Sequence, residues 1–290
     1  MSLKQIDCPT RATIQHYITV GTKNLQLKTD SPRLDSELLL SFVLNKPREY
    51  LYTWPERSLN HAQQNAFNTL IQKRSMGHPI AYLLGNKEFW SRTFKVNSDT
   101  LIPRPQTETL IEIAIELFPK HAPLRILDLG TGCGIIAITL AKHFKNATLL
   151  ATDIEMPTLQ VAKHNANSHQ VPVSFIRSKW FSALEPQLFD LIISNPPYID
   201  EQDPHLNLGD VRFEPPTALI AKKAGLADLD AILTDAKKYL NNTGCILLEH
   251  GYNQATSVKQ LMHAKDYQNI QQYKDLDQQD RCSLGYYKSI

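Results

Sequence analysis

Arg125-Ile126-Leu127-Asp128-Leu129-Gly130-Thr131-Gly132-Cys133-Gly134 is the stretch that decides the fold of this chain. Its first half is apolar apart from Asp128 and reads as a buried strand. Its second half alternates glycine with small residues, which a strand does not sustain. Ile135 to His143 then reads as a helix, with Ile135, Ile136, Ile138, Thr139 and Ala141 available for packing. Glycines at Gly130, Gly132 and Gly134 permit positive φ and let a ligand approach the backbone. The N–H groups that open the helix favour a polar or anionic ligand. A dinucleotide fingerprint would read G-x-G-x-x-G. Here the third glycine comes one residue early and position 135 is Ile135. That spacing argues against a pyrophosphate cofactor and fits a nucleoside with a smaller tail, such as S-adenosylmethionine (SAM).

Outward from the turn, Thr148 to Thr152 forms a second apolar run ending on Asp153. A carboxylate there can accept hydrogen bonds from both ribose hydroxyls, by analogy with nucleotide-binding α/β folds. An Asp at a strand end is also an ordinary cap, and a helix starts near Pro157. Its place one βαβ unit after the glycine turn favours the ligand role. A further apolar run, Phe189 to Ile193, leads to Asn195-Pro196-Pro197-Tyr198. Neither proline has an N–H, so the ladder stops at Asn195 and leaves its amide at the strand's carboxyl end. Ligands bind at that edge of open α/β sheets. Asn195 offers a carbonyl acceptor, Pro196 and Pro197 leave backbone carbonyls free, and Tyr198 offers a flat face. Such a site suits a planar –NH2 group held by two acceptors. Taken alone, the tetrapeptide also reads as a strand end with a Pro-rich turn.

The surroundings repeat this alternation. A helix over 107–118, capped by Thr107, precedes strand 125–130 and helix 135–143. Strand 148–152, helix 157–168, and strands 173–177 and 189–194 follow. Helix 227–240, strand 244–249, helix 253–264 and strands near 270–276 and 283–288 close the chain. Strands alternating with helices imply a mostly parallel sheet covered on both faces. The first 75 or so residues differ, with apolar positions at helical spacing and helix-start signals at Ser31-Pro32 and Asn60. Between the two regions, Gly85-Asn86 amid Tyr82, Leu84, Phe89, Trp90 and Phe94 reads as a hairpin turn. The expected domains are a helical one over 1–76, a hairpin linker over 77–104, and an α/β domain over 105–290.

With 290 residues, 42% of them hydrophobic, the chain can bury two proper cores. A net charge of +2 excludes a strong commitment to nucleic acid or membrane. Residues 1–76 carry ten Lys/Arg against six Asp/Glu, which leaves the remainder at −2. Cys8, Cys133, Cys245 and Cys282 are scattered, which fits neither a zinc site nor a disulfide framework. No metal is expected, and a reducing cytoplasm is. Met1 to Thr13 lacks the apolar core of a signal peptide, and no run approaches the roughly 20 apolar residues of a membrane span.

At this point a family resemblance emerges. The chain resembles the bacterial protein-(glutamine-N5) methyltransferases of the HemK/PrmC type, which modify peptide-chain release factors. The likeness covers essentially the whole chain. It rests on Gly77-His78-Pro79-Ile80-Ala81-Tyr82, Ile102-Pro103-Arg104-Pro105, Asp128-Leu129-Gly130-Thr131-Gly132, Asn195-Pro196-Pro197-Tyr198-Ile199, Phe213-Glu214-Pro215-Pro216 and Glu249-His250-Gly251. One departure is Gln106, where the family commonly has a carboxylate.

The resemblance implies a Rossmann-like SAM-dependent methyltransferase sheet joined by a β-hairpin to a small N-terminal all-helical domain that recognises substrate. It implies SAM contacts at Gly130, Thr131, Gly132, Cys133, Gly134, Asp153, Trp180 and Asn195, with S-adenosylhomocysteine as product. Asn195, Pro196, Pro197 and Tyr198 would hold the substrate amide, and Asn195, Pro196 and Tyr198 would be the catalytic set. Arg104 and Glu214 would support them; His78 and His250 read as structural. The implied substrate is the glutamine of the Gly-Gly-Gln motif in class-1 release factors. A monomer without membrane or direct nucleic-acid contact is expected. A glutamine methyltransferase of a ribosomal protein would share the chemistry. A DNA adenine-N6 methyltransferase would fit the same pocket but wants a basic stripe that the chain lacks. A SAM-binding sensor would have no use for an amide pocket.

Overall fold

The computed structural model describes residues 12–287; Cys8 and the chain ahead of Ala12 lie outside them. Two compact units emerge. One takes in the chain up to Gly85 together with Asn207–Phe213; the other holds Asn86–Leu206 and the chain from Glu214 onward.

The first unit is helical: α1 (Ile14–Leu25), α2 (Pro32–Leu44), α3 (Arg48–Thr53), α4 (His61–Ser75) and α5 (Ile80–Leu84). Local chemistry sets its helix starts. The Thr13 hydroxyl accepts from the His16 N–H. Asn60 and Gln63 close a reciprocal capping box at the head of α4. Pro32 occupies the first turn of α2, where no N–H is needed. The apolar faces meet in a core of Ile14, Leu25, Leu39, Leu40, Leu51 and Phe67. Arg74 is buried beside Asp35, its Nε donating at 2.7 Å, while its Nη1 donates to Asp210 at 2.7 Å. Arg212 donates to the Met76 carbonyl, and the Phe213 ring lies 4.6 Å from that of His78. Asn207–Phe213 thus belongs to the helical unit although it comes well over a hundred residues later in the chain. Removing the cation should leave Asp35 buried without its ion pair. Arg74→Ala is therefore expected to destabilise this unit by about 3 kcal/mol. Denaturant melts check this; a loss under about 1 kcal/mol, the worth of a surface pair, would mean that the cluster is solvated.

The second unit opens with a hairpin, β1 (Asn86–Phe89) and β2 (Arg92–Lys95). Its turn is not at Gly85-Asn86 as the sequence suggests. Gly85 ends α5 in a left-handed conformation, and the reversal is made by Trp90 and Ser91, both at positive φ. After α6 (Glu108–Leu117) come β3 (Arg125–Leu129), α7 (Ile135–His143), β4 (Thr148–Asp153), α8 (Met156–Ser168), β5 (Val173–Arg177) and β6 (Phe189–Ser194). The short strands β7 (Ile199–Asp200) and β8 (Ile220–Ala221) pair separately. Then follow α9 (Ala227–Ala236), β9 (Leu240–Glu249), α10 (Ala255–Ala264), β10 (Gln268–Lys274) and β11 (Asp280–Tyr286). β9 starts earlier and α9 stops earlier than the sequence suggests, because Asn241 to Gly244 resembles a turn yet continues the strand.

The main sheet runs β10-β11-β9-β6-β3-β4-β5. β5, β4, β3, β6 and β9 are mutually parallel, and the β10–β11 hairpin adds an antiparallel edge. Helices cover it: Leu229, Ile232 and Leu233 of α9 and Val258 and Met262 of α10 join Leu127, Ile192 and Ile246 of the strands in one core. This is the Rossmann-like architecture that the family resemblance implies.

Candidate active site

From β3 the chain winds outward through β4 to β5, then returns to β6 on the other side of β3. The strand order reverses between β3 and β6, and ligands bind at such a switch point. The glycine turn leaves β3 on one side of it, and Asn195 leaves β6 on the other. The Ser194 hydroxyl ties the two strand ends together by donating to the Leu129 carbonyl at 2.6 Å. A cavity of about 290 Å³ opens there, with Gly130, Thr131, Gly132, Cys133, Asp153, Trp180, Asn195 and Pro197 on its walls. Gly134, Pro196 and Tyr198 are not among the lining residues. Gly134 instead caps α7 at φ +90°, where a Cβ would run into Ile138.

The turn is braced from beneath. Asp128 is fully buried and accepts from the Thr131 hydroxyl at 2.6 Å and from the Ala137 N–H at 3.2 Å. Burial pushes its carboxyl up to about 7. A carboxylate raised on folding stabilises fully below its unfolded value, and that contribution is lost as pH rises through the folded value. The unfolding free energy of the wild type should therefore fall relative to Asp128→Asn as pH rises from about 4 to about 7. A difference that stays constant over that window would mean that Asp128 titrates as an ordinary carboxylate.

Asp153 stands at the end of β4. Its Oδ2 accepts from the Gly132 N–H at 3.0 Å and its Oδ1 from the Glu155 N–H at 3.1 Å. The cap role and the ligand role are thus compatible, since each carboxylate oxygen keeps a further acceptor site. Trp180, at positive φ, donates from Nε1 to Asp228 at 3.2 Å. Its ring would stand 3.3 Å from a Cβ on Gly130, so the glycine lets the indole lie close against the turn. Asp228, also on the cavity wall, has no signal in the sequence; it enters from α9.

Around Asn195 the structure departs from the sequence reading in one respect. Thr107 stands at the N-cap position of α6, but its backbone is helical and its side chain makes no capping hydrogen bond. The Thr107 hydroxyl instead accepts from Asn195 Nδ2 at 3.1 Å. The Tyr198 hydroxyl donates to Glu249 Oε1 at 3.1 Å, and Gln254 Nε2 donates to the Tyr198 carbonyl at 2.9 Å. Burial pushes the Glu249 carboxyl up to about 7, against the hydroxyls of Thr107 and Tyr198 and the guanidinium groups of Arg281 and Arg104. Arg104, on the cavity wall, pairs with Glu214 at 2.5 Å, and Glu214 also accepts from the Ile102 N–H. Gln106 donates to Asp277 at 3.2 Å, so a carboxylate lies beside this position even though the residue itself is neutral. His250 is buried between the Gly251 carbonyl and the Ser283 hydroxyl.

Fold and site together define a methyltransferase with a Rossmann-like sheet. Two family profiles match the chain: "PrmC N-terminal domain" over residues 17–85 and "Methyltransferase small domain" over 109–221. The release factor glutamine methyltransferase of Shewanella oneidensis is 45% identical over 267 residues, 92% of this chain and 93% of that protein. Its counterpart in Vibrio cholerae is 43% identical over 282 residues, 96% of this chain and 98% of the relative. A solved methyltransferase from Pyrococcus furiosus shares the fold at a TM-score of 0.51 and 19% identity, covering 68% of this chain and 89% of its own. The chain belongs to the release factor glutamine methyltransferase family.

Proposed function

We propose that this chain transfers the methyl group of SAM to the side-chain amide nitrogen, N5, of the glutamine in the Gly-Gly-Gln motif of class-1 release factors. S-adenosylhomocysteine is the product. The reading rests on one observation above all: an Asn amide at the end of β6 flanks the switch-point cavity, in a chain 41–45% identical to enzymes of this name over nearly its full length. The cavity suits SAM chemically. Gly132 has open space where a Cβ would stand, Asp153 keeps acceptor capacity, and Trp180 presents a ring to the cavity. Asp153 would take the sugar hydroxyls, and the glycine turn and Trp180 would flank the rest.

When bound, SAM supplies an electrophilic methyl group on a sulfonium sulfur. An amide nitrogen is a poor nucleophile because its lone pair is delocalised into the carbonyl. Asn195 Oδ1 and the Pro196 carbonyl would accept the two N–H bonds of the glutamine and favour a more tetrahedral nitrogen. Positive charge grows on that nitrogen during transfer, so both hydrogen bonds strengthen toward the transition state. Orientation within the cleft contributes further; well-aligned reactants gain up to about 7–11 kcal/mol. The N-methylated amide then releases its proton to water, and no strong base is needed. Tyr198 helps hold the loop, with its hydroxyl on Glu249.

Among the described residues no helix is long and apolar enough to cross a membrane. A cytoplasmic monomer, with residues 1–76 selecting the protein substrate, completes the reading. The test incubates the protein with methyl-labelled SAM and a purified release factor, a ribosomal protein or DNA. Label on the release factor, lost when its Gly-Gly-Gln glutamine is replaced, is the expected result. Label on the ribosomal protein or on adenine alone would overturn the assignment.

A further inference from the structure

Trp180 stands half-buried on the cavity wall, with its backbone at φ +51°. A bulky residue rarely takes that conformation. Held there it costs about 1–3 kcal/mol, and it persists only where its surroundings over-determine it. We propose that Asp228 is a positioning residue for the cofactor site: it locks the Trp180 indole in the orientation that flanks SAM. The proposal rests on the reading, given above, that Trp180 is one of the groups beside SAM.

The main chain at Trp180 has its own ties. The Ser178 N–H donates to the Asp153 carbonyl at 2.9 Å, which anchors the segment to the end of β4. The Ser178 hydroxyl donates to the Trp180 carbonyl at 2.8 Å and accepts from the Ala183 N–H at 3.0 Å. These bonds fix the backbone and leave the side-chain torsions of Trp180 open. The indole is fixed at its two ends instead. Its six-membered ring meets the glycine turn: a Cβ on Gly130 would lie 3.3 Å from Cζ3 and 3.7 Å from Cη2. Its N–H, on the five-membered ring, donates to Asp228 Oδ1 at 3.2 Å. An indole N–H only donates and an ionised carboxylate only accepts, so this pair works in one sense. Turned over about χ2, the ring would set a C–H edge against the carboxylate and leave the N–H without that acceptor.

An acid in the first turn of a helix is ordinary, worth about 0.3–1 kcal/mol through the helix dipole. Asp230, in the same turn of α9, pairs with Lys223 and Lys265 at the surface. Asp228 faces the cavity instead and takes the indole. Burial pushes its carboxyl up, and the indole N–H and the Lys179 charge hold it down.

Two measurements test this. The first needs no ligand. Among the three indole N–H signals of the ¹⁵N-labelled protein, that of Trp180 is the one lost in Trp180→Phe. Its exchange with solvent should quicken about tenfold or more in Asp228→Ala, and less than threefold in Asp228→Asn, which keeps an acceptor oxygen. Unchanged exchange in Asp228→Ala would overturn the inference. The second is calorimetric SAM binding. Asp228→Ala should weaken it about tenfold, and Asp228→Asn should restore most of the loss. With a release factor as substrate the defect should appear in KM for SAM and not in kcat at saturating SAM. In a Trp180→Phe background, which keeps a ring but has no N–H to give, Asp228→Ala should change affinity by less than about twofold. A full tenfold loss there would show that Asp228 does not act through the indole. A lower melting temperature in Asp228→Ala with affinity and exchange unchanged would leave it an ordinary helix-start acid. Unchanged affinity in Trp180→Ala would overturn the SAM contact assigned to Trp180 and the role of Asp228 with it; the exchange result, read without ligand, would still decide whether the indole is held.

Discussion

Asn195→Ala should abolish methyl transfer while leaving SAM affinity within about tenfold and the fold intact. Asn195 caps no helix and carries none of the core; its side chain makes one hydrogen bond, to Thr107, and otherwise faces the cavity. Alanine would remove the hydrogen-bond acceptor proposed for the methyl-accepting nitrogen and would fill nothing in its place. Removing one preorganised hydrogen-bonding group from a transition state costs about 10²–10³ in kcat. The measurement is single-turnover transfer from labelled SAM to a release factor, beside calorimetric SAM binding and a thermal melt. Retention of more than about a tenth of wild-type turnover would be a loss under about 1.4 kcal/mol, too small for the role assigned to the amide.

A second large effect is expected at Asp153. Asp153→Ala should weaken SAM binding by tenfold or more, because hydrogen bonds to a charged acceptor contribute about 1.5–3 kcal/mol. Turnover at saturating SAM should suffer less. The Asp153 carboxylate also anchors the Gly132 N–H, so alanine could loosen the glycine turn as well. Asp153→Asn separates the two contributions: it keeps an oxygen for the turn and loses the charge. Affinity lost in both variants assigns the effect to the carboxylate. Calorimetry showing unchanged SAM affinity in Asp153→Ala would make it a cap for α8 and nothing more.

The central parallel strands were legible because they are buried on both faces. Ile126, Leu127 and Leu129, like Leu191, Ile192 and Ile193, leave no exposed side to interrupt the apolar run. Asn195, Asp153 and the glycine turn were legible for the same reason: each stands where such a run stops, at the edge that binds ligands. The hairpin turn was not. Trp90 and Ser91 take positive φ without glycine, while Gly85-Asn86 looks like a turn and Gly85 terminates a helix. Asp228 carried no positional signal, and although Thr107 and Glu249 stood in recognisable local patterns their partners did not read from sequence, because Trp180, Asn195 and Tyr198 reach these three residues from other elements. Thr107 was placed correctly at the N-cap position, where a threonine ahead of an amphipathic helix is the ordinary cap signature, but a tertiary partner uses its hydroxyl instead of the helix N–H groups.

The placement of Asn207–Phe213 bears on how this protein can be rebuilt. A designer who wished to exchange the helical unit would cut at the end of the helical region and graft that of a relative. The graft would then meet a foreign Asp210 and Phe213 in place of the partners its own Arg74 and His78 positions had been matched to. The exchangeable part is discontinuous, a long piece and a short one, and a chimaera that swaps both together should express and fold where one that swaps only the first does not.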